Sequence, residues 1–246
     1  MFLAIIRTVL ATLLSILICT LGLICYLCKP KDPRHISVLG RWFGRMSFLF
    51  GLQVEVRWPK DIMLPNNCIY IANHQNTYDI VTTSCVVQPR TILVGKKSLL
   101  WIPLFGLLYW LTGNLLIDRN NYTKTYNILT KVIKEVKKNN MSIWVFPEGT
   151  RSRGRGLLPF KVGAFYMAIS AGVPIVPICV SNTSNKIRLN RWSNGLVIIE
   201  ILPPVETIGY NKKQGRVLAA HCWNIMKNKL DQLNLEVNQR ESLRFQ

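Results

Sequence analysis

The chain has 246 residues, enough for one good core, and no low-complexity linker divides it into independent domains. Lysine and arginine exceed aspartate and glutamate by 31 − 12 = 19, yet 49% of the residues are hydrophobic. With no recognised nucleic-acid motif present, that pairing favours an anionic bilayer surface over nucleic acid. The 7 cysteines are odd in number and lack paired metal spacing, which argues against a disulfide framework and for a reducing cytoplasmic face.

From Thr8 to Cys28 no charge occurs, and these 21 residues, as a helix rising about 1.5 Å each, reach roughly the thickness of one hydrocarbon core. Tyr26-Leu27-Cys28 followed by Lys29-Pro30-Lys31 makes a poor cleavage site, so the segment is expected to stay as an anchor. Lys29, Lys31 and Arg34 outweigh Arg7, which places the following domain in the cytoplasm. His35 to Phe50 mixes Trp42, Phe43, Phe48 and Phe50 with Arg41 and Arg45, as an interfacial helix does; it either lies flat or pairs with the leader as a re-entrant hairpin. The expected organisation is an anchor and interfacial helix over residues 1–50 and a catalytic domain over 51–246.

Beyond residue 52, short β-rich runs alternate with helical ones, which predicts an α/β fold, a layered sheet with flanking helices. Strands are expected near Val54 to Arg57, Ile69 to Ala72, Thr91 to Val94, Ser142 to Phe146, Ile175 to Val180 and Leu196 to Leu202. Helices are expected near Asp79 to Val87, Thr123 to Lys138, Val162 to Ala171 and Gln214 to Glu236. In the second of these helices, Tyr126, Leu129, Ile133 and Val136 form the apolar stripe and the lysines a solvated face.

Directly after Ile69 to Ala72 stands His74-Gln75-Asn76-Thr77-Tyr78-Asp79. On a continuous helix, five residues of separation would turn Asp79 away from His74, so the pair meets only if the chain turns between them. Asn73, Asn76 and Thr77 suit that turn, and Asp79 suits the first turn of a helix. The carboxylate would then fix one ring nitrogen and leave the other to take a proton from a bound hydroxyl. No serine or cysteine motif accompanies the pair, so the nucleophile belongs to the substrate; a hydrogen-bonded structural pair is the competing reading.

Ser142 to Phe146 leads into Pro147-Glu148-Gly149-Thr150-Arg151-Ser152 and then Arg153-Gly154-Arg155-Gly156. Three arginines, a glycine able to adopt unusual backbone angles and free amides suit an anionic oxygen cluster such as phosphate. Arg155 and Gly156 stand where a nucleotide phosphate loop requires Lys and then Ser or Thr, which excludes a nucleoside triphosphate site. Lys96 and Lys97 precede the apolar run Leu99 to Phe105, where membrane anchoring and phosphate binding both remain open. His221 lies in the stripe of a C-terminal helix beside Cys222, a packing position, and His35 adjoins the leader.

In order and spacing, His74-x4-Asp79, Gly113-Asn114-Leu115-Leu116-Ile117-Asp118-Arg119, Phe146 to Arg151 and Val173 to Ile178 resemble the four blocks of the glycerolipid acyltransferase family over roughly residues 68 to 180. Leu116 stands where the second block often has Phe, an apolar exchange that bears on packing. The resemblance is strongest to the bacterial branch that acylates 1-acyl-sn-glycerol 3-phosphate. It implies transfer from an acyl thioester to the sn-2 hydroxyl, giving phosphatidic acid, with His74 and Asp79 catalytic. It also implies that Arg119 and Arg151, with Lys96, Gly149 and Thr150, hold the glycerophosphate, and that Glu148 of the same substrate site orders the loop or the glycerol end. No metal or tightly bound cofactor is implied; acyl coenzyme A or acyl carrier protein would be a co-substrate, and anionic lipids of a bacterial inner membrane, met from the cytoplasmic face, would be partners. A related enzyme acting on another lysolipid or on glycerol 3-phosphate, and a non-enzymatic lipid-binding protein, are the alternatives.

Overall fold

A computed structural model describes residues 1–29, 32, 34–117, 133 and 138–243; Arg119 and most of the helix expected over Thr123 to Lys138 lie outside them. Among the described residues, seven strands form one sheet: β1 (Leu52–Arg57), β2 (Ile69–Ala72), β3 (Thr91–Lys96), β4 (Leu115–Ile117), β5 (Ser142–Val145), β6 (Ile175–Val180) and β7 (Gly195–Ile201). Their order is β1-β7-β6-β2-β5-β3-β4, and every neighbouring pair is parallel except β6 and β7. Helices α1 (Phe2–Cys28), α2 (His35–Arg45), α3 (Asp79–Thr82), α4 (Phe105–Leu111), α5 (Gly163–Ala171) and α6 (Gly215–Ser242) surround it.

The central strands read as unbroken apolar runs because both faces are covered. Ile69 and Ile71 of β2 join Phe165 of α5 and Leu218, Cys222 and Met226 of α6 in one core layer. Tyr70 and Ala72 point the other way, to Leu39 and Phe43 of α2 and to Val86 and Val87. That alternation is the two-residue period of a strand. It repeats in β6, where Ile175 and Cys179 face α6 while Val176, Ile178 and Val180 face α2.

The leader is tied to this domain at both ends. Near its start Arg7 is buried and donates to the carbonyls of Leu189 at 3.0 Å, Trp192 at 2.9 Å and Arg191. Near its end a Cβ on Gly22 would stand 2.8 Å from Leu39 Cδ2 and 3.0 Å from Leu108 Cδ2, so α1 packs closely on α2 and α4. Ile5, Val9, Leu13, Ile16, Leu17 and Ile24 are exposed along its outward side.

The expected helix over His35 to Phe50 resolves into α2 and a 3-10 turn, Met46–Phe50. Its inward side is a core surface: a Cβ on Gly40 would strike the Ser84 carbonyl, and one on Gly44 would stand 2.5 Å from Cys85 Cβ. The helix expected over Asp79 to Val87 ends at Thr82 and continues as a 3-10 turn, Ser84–Val86. The last helix runs on to Ser242, because Glu236 and Arg240 in its final turns pair with Arg57 and Glu55 of β1. Neither α4 nor β4 was read from the sequence: the apolar run after Lys97 shows no strand alternation, and Leu115–Ile117 is only three residues long.

Candidate active site

Strand β2 lies between β5 and β6 and runs parallel to both, with Ile71 level with Val145 on one side and Pro177 on the other. The chain therefore leaves all three strands at the same edge, the carboxyl end where ligands of parallel sheets collect. His74 follows β2, Phe146 to Arg151 follow β5, and Ser181 to Thr183 follow β6.

The turn expected between His74 and Asp79 forms as Tyr78 N donates to Asn76 Oδ1 at 2.8 Å, and Asp79 then opens α3. It brings His74 Nδ1 to 2.6 Å from Asp79 Oδ2. The same oxygen accepts the Gln75 amide at 2.7 Å and the Asn76 amide at 3.3 Å, so the loop backbone holds the carboxylate. Asp79 is 4% exposed, whereas the His74 side chain keeps 16% of its surface. With Nδ1–H donating to Asp79, Nε2 is left as an acceptor. The imidazole is also stacked on Phe146, ring centroids 4.2 Å apart and planes 19° from parallel.

The loop after β5 closes onto the histidine loop. Ser152 N donates to the His74 carbonyl at 2.8 Å and Arg153 N to the Gln75 carbonyl at 3.0 Å, which places Arg151 beside the His74–Asp79 pair, partly exposed. Glu148 is 3% exposed and faces inward: Oε1 accepts the His74 amide at 2.6 Å and Oε2 the Leu158 amide at 3.0 Å. Burial lifts its carboxyl above the ordinary range, and the two amides offset only part of that. Expected in the substrate site, ordering the loop or the glycerol end, Glu148 is seen with each oxygen on a backbone amide. Gly149 takes φ +69° at the end of a turn closed by its own amide on the Phe146 carbonyl at 3.0 Å, while Thr150 is exposed. Lys96 is exposed at the end of β3, paired through the backbone with Ile117 of β4.

Three supporting groups take roles that were not read from the sequence, where Asn73 was given only to the turn. Asn73 exchanges two hydrogen bonds with the Val180 backbone at 2.9 and 2.8 Å, and Gln75 donates to the Val180 and Ser181 carbonyls and accepts from Thr183 N. These amides bolt the histidine loop to the end of β6. Their signal was two carboxamides flanking the histidine directly after an apolar strand, a place where buried backbone groups need partners. Phe146 gave no such signal, since it read as the last residue of a strand.

Residues 53–181 match the family model described as Acyltransferase. The chain is 59% identical over 236 residues to the 1-acyl-sn-glycerol-3-phosphate acyltransferase of Escherichia coli strain K12, covering 96% of each. It is 53% identical over 235 residues to the Haemophilus influenzae protein of the same name, covering 96% of this chain and 98% of that one. The crystal structure of the 1-acyl-sn-glycerophosphate acyltransferase PlsC from Thermotoga maritima superposes with a TM-score of 0.72 at 25% identity, covering 94% of this chain and 97% of that one.

Proposed function

We infer from this premise, that the chain belongs to the acyltransferase family, that it transfers an acyl group to the sn-2 hydroxyl of 1-acyl-sn-glycerol 3-phosphate and so forms phosphatidic acid. The observation that carries the chemistry is the 2.6 Å contact between His74 Nδ1 and Asp79 Oδ2 at the mouth of the parallel strands. Nε2 takes the proton of the acceptor hydroxyl as its oxygen attacks the thioester carbonyl. The tetrahedral intermediate collapses to the ester, and the thiol leaves with a proton returned from the imidazolium. Asp79 fixes the tautomer and stabilises the transient imidazolium. No acyl-enzyme, metal or organic cofactor enters this sequence.

Arg151, Arg119 and Lys96 bind the acceptor phosphate, with Gly149 and Thr150 shaping the loop; the proximity of Arg151 to His74 supports its part. Glu148 organises the loop by holding the His74 amide. The acyl donor is a thioester of coenzyme A or of acyl carrier protein. Residues 1–50 form the membrane anchor and 51–246 the catalytic domain, on the cytoplasmic face of a bacterial inner membrane whose anionic lipids meet the basic surface. The outward apolar side of α1 supports the anchor, and its ties to the domain at both ends favour a helix laid along one face of it.

Purified protein offered several lysolipids and glycerol 3-phosphate, each with both donors, tests this reading by mass spectrometry of the products. Phosphatidic acid should dominate with wild-type protein and disappear with His74→Ala. Preferential acylation of another acceptor would overturn the substrate assignment.

A further inference from the structure

We propose that Lys161 is a further cation of the acceptor's phosphate site, an assignment that rests on the acyltransferase reading and adds a residue to that same site. Two backbone ties bring its segment alongside the loop after β5: Leu158 N donates to Glu148 Oε2 at 3.0 Å and Lys161 N to the Pro147 carbonyl at 2.8 Å. The lysine side chain then lies across Gly149, where a Cβ would stand 2.7 Å from Lys161 Cε and 3.1 Å from its Nζ. Glycine at this position thus does two things. It accepts φ +69°, and it leaves open the space that the lysine stem fills.

The ammonium consequently ends beside the residue that precedes Thr150 and Arg151. Among the described residues, no carboxylate pairs with it. Both oxygens of Glu148 are taken by backbone amides, Asp79 is held by His74 and its own loop, and among the described residues Lys161 makes no ion pair, whereas Lys186, Lys227 and Lys229 each do. Lys161 is exposed, so its charge is open to solvent and to an incoming anion, while its stem rests over Gly149. Its compact ammonium complements the forked guanidinium of Arg151, one offering a point charge and the other a planar pair of donors.

The test is steady-state kinetics on the full-length protein in detergent, varying 1-acylglycerol 3-phosphate and acyl coenzyme A separately. Lys161→Met keeps most of the stem and removes the charge, Lys161→Arg keeps the charge, and Arg151→Ala serves as reference. Lys161→Met should raise the acceptor KM about ten- to a hundredfold, the range of a lost charge-assisted hydrogen bond. Donor KM and kcat should stay within a few fold, and Lys161→Arg should restore most of the acceptor KM. An unchanged acceptor KM in Lys161→Met, with Arg151→Ala raising it, would overturn the proposal and leave the phosphate site standing. If neither variant moved it, the phosphate-site reading itself would fall. A rise in donor KM alone would reassign the ammonium to the phosphates of coenzyme A, also against the proposal. Thermal melts confirm that the variants fold, and Lys161→Gln carries the same comparison in place of a misfolded Met variant.

Discussion

The Glu148 carboxylate accepts the His74 amide at 2.6 Å through one oxygen and the Leu158 amide at 3.0 Å through the other, so the acid of one loop holds the histidine of its neighbour by the backbone. A glutamine there has one oxygen and one NH2 group, and one backbone amide would face a donor. Glu148→Gln should therefore cost about 1–3 kcal/mol of stability, the penalty of an unsatisfied buried group. It should also lower kcat more than it raises the acceptor KM, since the histidine is displaced while the phosphate cations stay. A variant with normal kcat and a raised acceptor KM would return Glu148 to direct substrate contact.

The same residue sets a pH signature. Its folded pKa lies above the ordinary value of 4.5 because burial outweighs its amide bonds. A raised pKa means that the folded chain binds the proton more tightly than the unfolded chain. The stability this contributes is fully present below 4.5 and is lost as pH rises through the folded pKa. Urea midpoints of wild type and Glu148→Gln, followed from below 4.5 upward through the raised folded pKa, should draw together as pH rises. A difference that widened with pH would contradict the buried-acid account.

Removing the His74 imidazole should abolish turnover without unfolding the protein, since the side chain rests on Phe146, keeps 16% of its surface and fills no deep core position. His74→Ala should lose about a hundredfold to ten-thousandfold in kcat from general-base assistance. Asp79→Asn should be as severe and less stable, because its Oδ2 also caps the amides of Gln75 and Asn76. Near-normal turnover by folded His74→Ala would remove the imidazole from the mechanism.

The His74–Asp79 contact was legible because it is local: a six-residue stretch holds both side chains with the turn formers Asn76 and Thr77 between them. Strands β2 and β6 were legible to the residue, being buried on both faces and therefore written as Ile69-Tyr70-Ile71-Ala72 and Ile175 to Val180. What escaped depended on contacts over long separations. Glu148 reads as ordering the loop or the glycerol end, but its partners His74 N and Leu158 N come only with the fold, and Gln75 reads as loop until Val180 and Ser181 arrive from 105 and 106 residues away. Lys161 looked like one cation among 31 until Gly149 was found beneath it.

The far edge of the sheet should respond to acid in the opposite sense to Glu148. Glu236 of α6 is bridged by Arg57 of β1, whose hydrogen bonds at 2.7 and 2.5 Å hold its carboxyl down at about 2. A depressed pKa gives stability that is present above the unfolded value of 4.5 and is lost as pH falls through about 2. The Glu236 side chain keeps 35% of its surface, so salt should weaken the pair. The stability gap between wild type and Glu236→Gln should be flat above pH 5 and narrow toward pH 3, roughly the interval between the two pKa values. A gap that stayed constant into acid would show that the bridge does not form in solution.

Deleting the leader is a poor test of its role, because α1 covers Leu39 and Leu108 through its close approach at Gly22. The outward side can be changed without touching that contact. Leu13 and Leu17 are 57% and 52% exposed, while Ile18 and Cys19 face the domain. Leu13→Asn combined with Leu17→Asn should therefore keep the fold and weaken capture by anionic liposomes in flotation, since apolar area lost from a lipid-facing helix is lost from its affinity. Activity on acceptor embedded in vesicles should fall several-fold, and activity on acceptor dispersed in detergent should barely change, an order-of-magnitude contrast set by that same lost apolar area. Gly22→Leu makes the opposite comparison: it pushes against Leu39 and Leu108 and should reduce activity in both formats. Equal fractional loss in both formats for the Asn pair would mean that the outward side of α1 helps to build the active site itself.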